Sequence, residues 1–233
     1  MLNGDVALVT GGTGDIGRGV CRALTKAGAT VVAVDLNATR AEGVARVIEC
    51  DVTDAIACQS AVREAVTDFG EVGTLVNLAQ QWTRQPLVDS TDDDWNLAYA
   101  SGPLATCRMM QLCYPHMKAR GGGAIVNCGS TAGTTGGAGG VAYAAAKEAI
   151  RGLTKGAAVE WAPDNISVNV ICPLATHDPD RWNAHGNVAE GVPMGRLGDP
   201  ETDVGALVVF LAGPGRFVTG RTLFVDGGSG TFR

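Results

Sequence analysis

Ser130, Tyr143 and Lys147 are the residues of this 233-residue chain whose types and spacing can do chemistry. Tyr143 and Lys147 lie four apart in the run VAYAAAKEAIRGLTKGAAVEWA (141–162), whose alanine, leucine, lysine and glutamate predict a helix that Pro163 ends. Residues four apart share a helix face at about 5–6 Å. An ammonium on that face stabilises a phenolate, so the tyrosine can exchange a proton with an alcohol or carbonyl. A solvated helix face carries the same pair, so the surrounding elements must decide.

Those elements alternate. DVALVT (5–10) reads as a strand, GGTGDIG (11–17) as a tight turn and RGVCRALTKAG (18–28) as a helix. Gly12 to Gly17 fit G-x-G-x-x-G, in which glycines let a pyrophosphate approach the free N–H groups of a helix start. TVVAVD (30–35) is a second strand ending in Asp35, where a carboxylate accepts hydrogen bonds from an adenosine ribose and repels a 2′-phosphate. Leu36 and Asn37 supply no cation and Arg40 is the next arginine, so NAD is expected over NADP. RVIECDVTD (46–54) gives a third strand and a turn, with Asp51 at an adenine position and Asp54 suited to cap a helix over 55–69. VGTLVNLA (72–79) is a fourth strand, and a helix follows from Thr91 towards Pro115 with Asp92, Asp93 and Asp94 in its first turn. GAIVNCGS (123–130) delivers Ser130 at a strand end, the edge where open parallel sheets bind ligands. NISVNVICP (165–173), a loop or lid over 174–199, a helix over 200–212 and RTLFVDGG (221–228) complete one domain spanning 1–233. The expected fold is α/β: a doubly wound parallel sheet of about seven strands with helices on both faces.

Composition narrows the partners. A net charge of -6 with scattered lysines and arginines argues against nucleic acid, and Arg108, Lys118 and Arg120 make only a thin docking patch for an acyl carrier. The seven cysteines form no C-x-x-C pair and no zinc-spaced cluster with histidine, so reduced core thiols and no metal are expected. No apolar run approaches the ~18 residues of a membrane span, and no basic region precedes an apolar segment at the start. A cytoplasmic protein acting on a small molecule is expected.

From TGGTGDIG (10–17) through Asp35, DVTD (51–54), Asn77-Leu78-Ala79, PHMKARGGGAIVNCGS (115–130), Ser130-Tyr143-Lys147, SVNVICP (167–173), PMGRLGDPE (193–201) and VTGRTLFVDGG (218–228), the chain resembles the short-chain dehydrogenase/reductase family in its single-domain, Rossmann-type form. The resemblance implies hydride transfer between a nicotinamide and a secondary alcohol or ketone. Tyr143 would be the general acid/base, Lys147 would favour its phenolate and hold the nicotinamide ribose, and Ser130 would hold the substrate oxygen. The cofactor would lie along Gly11, Thr13, Gly14, Asp15, Ile16, Gly17, Asp35, Leu36, Asp51, Val52, Asn77, Ala79, Pro173 and Thr176. A homodimer or homotetramer paired through the helices near 91–114 and 141–162 is implied as well.

Four positions depart from the family's pattern. Asp15 stands where a glycine is usual, and its carboxylate is expected to be solvated. Gln80 replaces the glycine that leaves room near the nicotinamide ribose, and is expected either to crowd it or to enter the substrate pocket with Gln81 and Trp82. Gly102 replaces the helical asparagine that joins serine, tyrosine and lysine, and Gly102-Pro103 is expected to keep a kink. Leu174 replaces a glycine after the sixth strand. Thr131, Leu174 and the lid, with His177, Trp182 and His185, would complete a pocket for a small or medium polar substrate. Two readings stay open: an NAD-linked dehydrogenase working chiefly on alcohols, or a catalytically weak cofactor-binding or scaffolding protein.

Overall fold

Valine-rich runs with both faces covered form a parallel sheet here because each can be buried on two sides. The computed structural model describes residues 1–37, 39, 41–178 and 188–230. Its strands are β1 Val6–Thr10, β2 Thr30–Asp35, β3 Arg46–Glu49, β4 Val72–Asn77, β5 Gly123–Cys128, β6 Ile166–Pro173 and β7 Thr222–Val225. They form one seven-stranded sheet ordered β3-β2-β1-β4-β5-β6-β7, and every paired neighbour is parallel. The helices are α1 Asp15–Lys26, α2 Ala55–Phe69, α3 Asp92–Tyr99, α4 Ala105–Ala119, α5 Thr131–Thr135, α6 Val141–Trp161 and α7 Ala206–Ala212. Successive residues of β1 serve opposite faces: Val6 and Leu8 join a core with α2, α4 and α6, while Ala7 and Val9 join one with α1 and α7. The chain reverses its winding between β1 and β4, which opens a crevice at the carboxyl ends of the strands.

Local chemistry sets the helix starts. Asp54 caps α2 by accepting from the N–H groups of Ile56 and Ala57 at 2.7 and 3.3 Å. Thr91 and Asp94 form a reciprocal capping box on α3. Helix α1 begins at Asp15 rather than at Arg18, so the fingerprint turn runs straight into it.

The long helix expected from Thr91 differs in two ways. It is interrupted by a π turn over Ala100–Leu104, and it resumes as α4, passing Pro115 to end at Ala119. In an α-helix the Tyr99 carbonyl would bond to the N–H of residue 103, which Pro103 lacks; the wider turn instead sends the Ala105 N–H to the Ala100 carbonyl. Pro115 is tolerated because it faces solvent. Short helix α5, directly after Ser130, was not expected. The cysteines are free thiols, six buried and Cys107 half-buried. No described helix is long and apolar enough to cross a membrane. Of the expected lid, 174–178 and 188–199 are described; Trp182 and His185, like Arg40, lie outside the described residues.

Candidate active site

Two elements deliver the reactive side chains. Ser130 follows β5 and caps α5, its Oγ accepting from the Ala132 N–H at 3.1 Å and keeping its own proton to donate. Tyr143 and Lys147 lie in the first two turns of α6. Lys147 is 3% exposed, and its Nζ donates to the Cys128 carbonyl at 2.8 Å, so the end of β5 fixes a buried cation beneath the tyrosine. That Nζ stands 5.4 Å from the Tyr143 ring centroid, within cation–π range. The ring also packs on Trp82, with centroids 5.2 Å apart and planes tilted by 39°.

Ser130 and Tyr143 open on a cavity of about 1180 Å³ at the crevice between β1 and β4. It extends past Ala79, Pro173 and Leu174 to Gly11, Gly14, Asp15, Ile16 and Gly17, and on to Asp35, Leu36, Asp51 and Val52. Four expected site residues sit behind this surface. Lys147 is buried under Tyr143. Thr13 donates its N–H to the Asp35 carboxylate at 3.0 Å and so fixes its direction. Asn77 belongs to a buried chain: its Nδ2 donates to Asn127 Oδ1 at 2.9 Å, and Asn127 Nδ2 donates to Thr154 Oγ1 at 2.9 Å, tying β4 and β5 to α6. Thr176 is buried, and its hydroxyl donates a hydrogen bond to the Asp15 carboxylate.

That last bond corrects the expectation for Asp15. Its carboxylate is half-buried rather than solvated, and accepts from the Thr176 hydroxyl and from the His177 N–H at 2.9 Å. Donors from the loop beyond β6 thus share the charge of a carboxylate that also lines the cavity. The N-cap residue of α1 is Gly14, which has no side chain to cap the first turn, and Gly14 lines the cavity. Gly17 brings turn and helix close, since a Cβ there would lie 2.0 Å from the Gly11 carbonyl oxygen. Uncapped donors at a helix start, followed by a carboxylate at the end of β2, fit the pyrophosphate and adenosine ribose of a dinucleotide. Among the described residues no group of three His, Cys, Asp or Glu side chains is arranged to hold a metal.

The substrate half is walled by two loops that fasten to each other. The Gln85 N–H donates to the Gly139 carbonyl at 2.9 Å, Gly139 and Gly140 pack against Arg84 and Trp82, and Gly137, Ala138 and Gly140 line the cavity with those two side chains. Thr131 and Gln81 line it as expected. Arg84, Ser101 and Asn127 were not anticipated. Ser101 accepts the Gln81 N–H at 3.0 Å and donates to Leu97 at 2.7 Å, stitching the π turn to the wall. Asn127 had one legible signal, a polar side chain in the last turn of an apolar strand, in register with Asn77.

The chain is similar to known proteins along nearly its whole length. A family model described as Enoyl-(Acyl carrier protein) reductase matches residues 12–230. The chain is 38% identical over 255 residues to a 12alpha-hydroxysteroid dehydrogenase of Clostridium sp., covering 99% of this chain and 98% of that one. It is 35% identical over 243 residues to a D-threitol dehydrogenase of Mycolicibacterium smegmatis (97% and 93%). Identity is also 35% over 246 residues to a 3-oxoacyl-[acyl-carrier-protein] reductase of Vibrio harveyi (97% and 98%). A crystal structure of a short-chain dehydrogenase/reductase from Burkholderia xenovorans superposes with a TM-score of 0.90 at 33% identity, over 100% of this chain and 98% of that one.

Proposed function

Because the chain belongs to the short-chain dehydrogenase/reductase family of oxidoreductases, we propose that it transfers hydride between NAD(H) and a secondary alcohol or ketone of small to medium size. One observation carries this reading: the Tyr143 phenol and the Ser130 hydroxyl open on the cavity that also reaches Asp35, with the Lys147 ammonium buried beneath the phenol. A bound nicotinamide would give or take the hydride. Ser130 donates a hydrogen bond to the substrate oxygen. Tyr143 takes its proton during oxidation and returns one during reduction. Lys147, held by the Cys128 carbonyl, keeps a positive charge beside the phenol and would hold the nicotinamide ribose. Trp82 closes one side of the tyrosine to water.

Asp35 supports NAD over NADP, since its carboxylate lines the cavity and would face a 2′-phosphate. The hydroxysteroid and threitol dehydrogenases are named for alcohols, which favours alcohol oxidation as the working direction. Arg108, Lys118 and Arg120 are engaged by Val52, Asp164 and Asp5, which weakens the case for an acyl-carrier docking patch. Leu104 and Val159 stand exposed on the π turn and α6, and support a homodimer or homotetramer paired there; the cytoplasm is the proposed location. Titration with NADH and NADPH, followed by nicotinamide fluorescence, tests the cofactor half. Micromolar NADH binding and much weaker NADPH binding are expected, and binding of neither would overturn the proposal. Over a panel of alcohols and carbonyls, Tyr143→Phe should lower turnover by about 10²–10⁴-fold with NADH binding kept. A wild-type chain that binds NADH and turns over nothing would be the scaffolding protein instead.

A further inference from the structure

Gln80 lies just past β4, on the wall of the cavity. Its Nε2 donates to the Ala98 carbonyl at 3.3 Å, at the last turn before the helix widens. A Cβ on Gly102 would stand 2.8 Å from that nitrogen and 3.0 Å from Cδ, so the Gln80 amide fills the place any side chain at 102 would enter. The amide oxygen is buried and has no hydrogen-bond partner on the protein. Native structures rarely leave such an acceptor unused, and one beside a ligand cavity calls for a donor that arrives with the ligand or as bound water. The π turn braced by this amide packs against α6, the helix of Tyr143 and Lys147.

We infer that Gln80 is a positioning residue of the reaction: its amide oxygen accepts a hydrogen bond from an O–H in the site, either a ribose hydroxyl of the bound nicotinamide cofactor or an ordered water, and so fixes that group beside α6. This rests on the hydride-transfer reading. The amide matters here, not the position that carries it, so the same amide delivered from 102 across the same gap should serve.

The test uses the whole chain as wild type, Gln80→Leu, Gln80→Gly, and Gln80→Gly combined with Gly102→Asn. Thermal melting reports folding, NADH fluorescence reports Kd, and initial rates against pH report kcat and KM. Gln80→Leu is expected to melt near wild type and to lose about tenfold in kcat/KM. A matching rise in NADH Kd identifies the ribose hydroxyl as donor. An unchanged Kd with lower kcat and a displaced pH profile identifies water. In either case the double variant should regain most of what Gln80→Gly loses. Wild-type Kd, kcat and KM in Gln80→Leu would overturn the assignment. So would a folded double variant no better than Gln80→Gly, a comparison that holds even if Gln80→Leu fails to fold. Loss of NADH binding by the wild type would instead remove the hydride-transfer reading itself.

Discussion

Asp35 is a single carboxylate whose direction is set by the backbone of the turn it faces, since the Thr13 N–H donates to one oxygen at 3.0 Å and the Asn37 N–H to the other at 3.3 Å. Fixed in that way it cannot swing aside for a 2′-phosphate, and like charges brought together cost several kcal/mol. Asp35→Asn should therefore narrow the preference for NADH over NADPH by about tenfold or more, read as the ratio of the two Kd values by fluorescence. Side-chain types were legible at this scale. Ser130, Tyr143, Lys147 and Asp35 could be picked out because their chemistry is unusual where it occurs. Their partners were not legible. Nothing in the sequence pairs Lys147 with the Cys128 carbonyl, or Asp15 with Thr176 and His177, because those bonds join residues far apart in the chain. Gln80 was left between two fates for the same reason, and the gap at Gly102 that it fills belongs to another element.

Among the elements, the start of α1 depends on one close approach. A Cβ at position 17 would meet backbone, 2.0 Å from the Gly11 oxygen and 2.8 Å from the Gly12 Cα, so the turn and helix must move apart. Gly17→Ala should cost about 1–3 kcal/mol in urea unfolding and weaken NADH binding by about tenfold or more. Helix α3 offers a pH test. The Thr83 hydroxyl first, then the N–H and hydroxyl of Thr91, hold the Asp94 carboxyl below its ordinary value. The folded chain then binds the Asp94 proton less readily than the unfolded chain. Its stabilising contribution is present above the unfolded value of about 4 and is lost as pH falls through the lower folded one. Melting temperatures of wild type and Asp94→Asn should accordingly favour wild type at pH 7 and converge below about pH 4. Strands and helices were legible from periodicity, and a break in regular α-helix at Gly102-Pro103 from proline's missing N–H. The π register was not, and neither was helix α5, whose five residues carry too little pattern to read.

For the whole molecule, the cavity draws walls from both halves of the sheet, so a ligand that fills it should resist unfolding of either. NADH at about a hundred times its Kd should add about 2.7 kcal/mol and raise the melting temperature by about 5–10 °C in thermal-shift assays. The doubly wound order was legible because alternating strand and helix signals leave few permitted topologies, whereas the cavity's shape depends on loop contacts such as Gln85 with Gly139. The clasp between Asp15 and the Thr176–His177 segment has a consequence for mutational paths. Replacing Asp15 by glycine takes the acceptor from the His177 N–H and leaves the Thr176 hydroxyl the Asp178 carbonyl at 3.2 Å, while removing that hydroxyl leaves the carboxylate the His177 N–H. Each substitution changes how the other residue is bonded, so the two positions are epistatic. A designer who grafts a relative's glycine turn onto this chain must exchange the root of the loop beyond β6 in the same step.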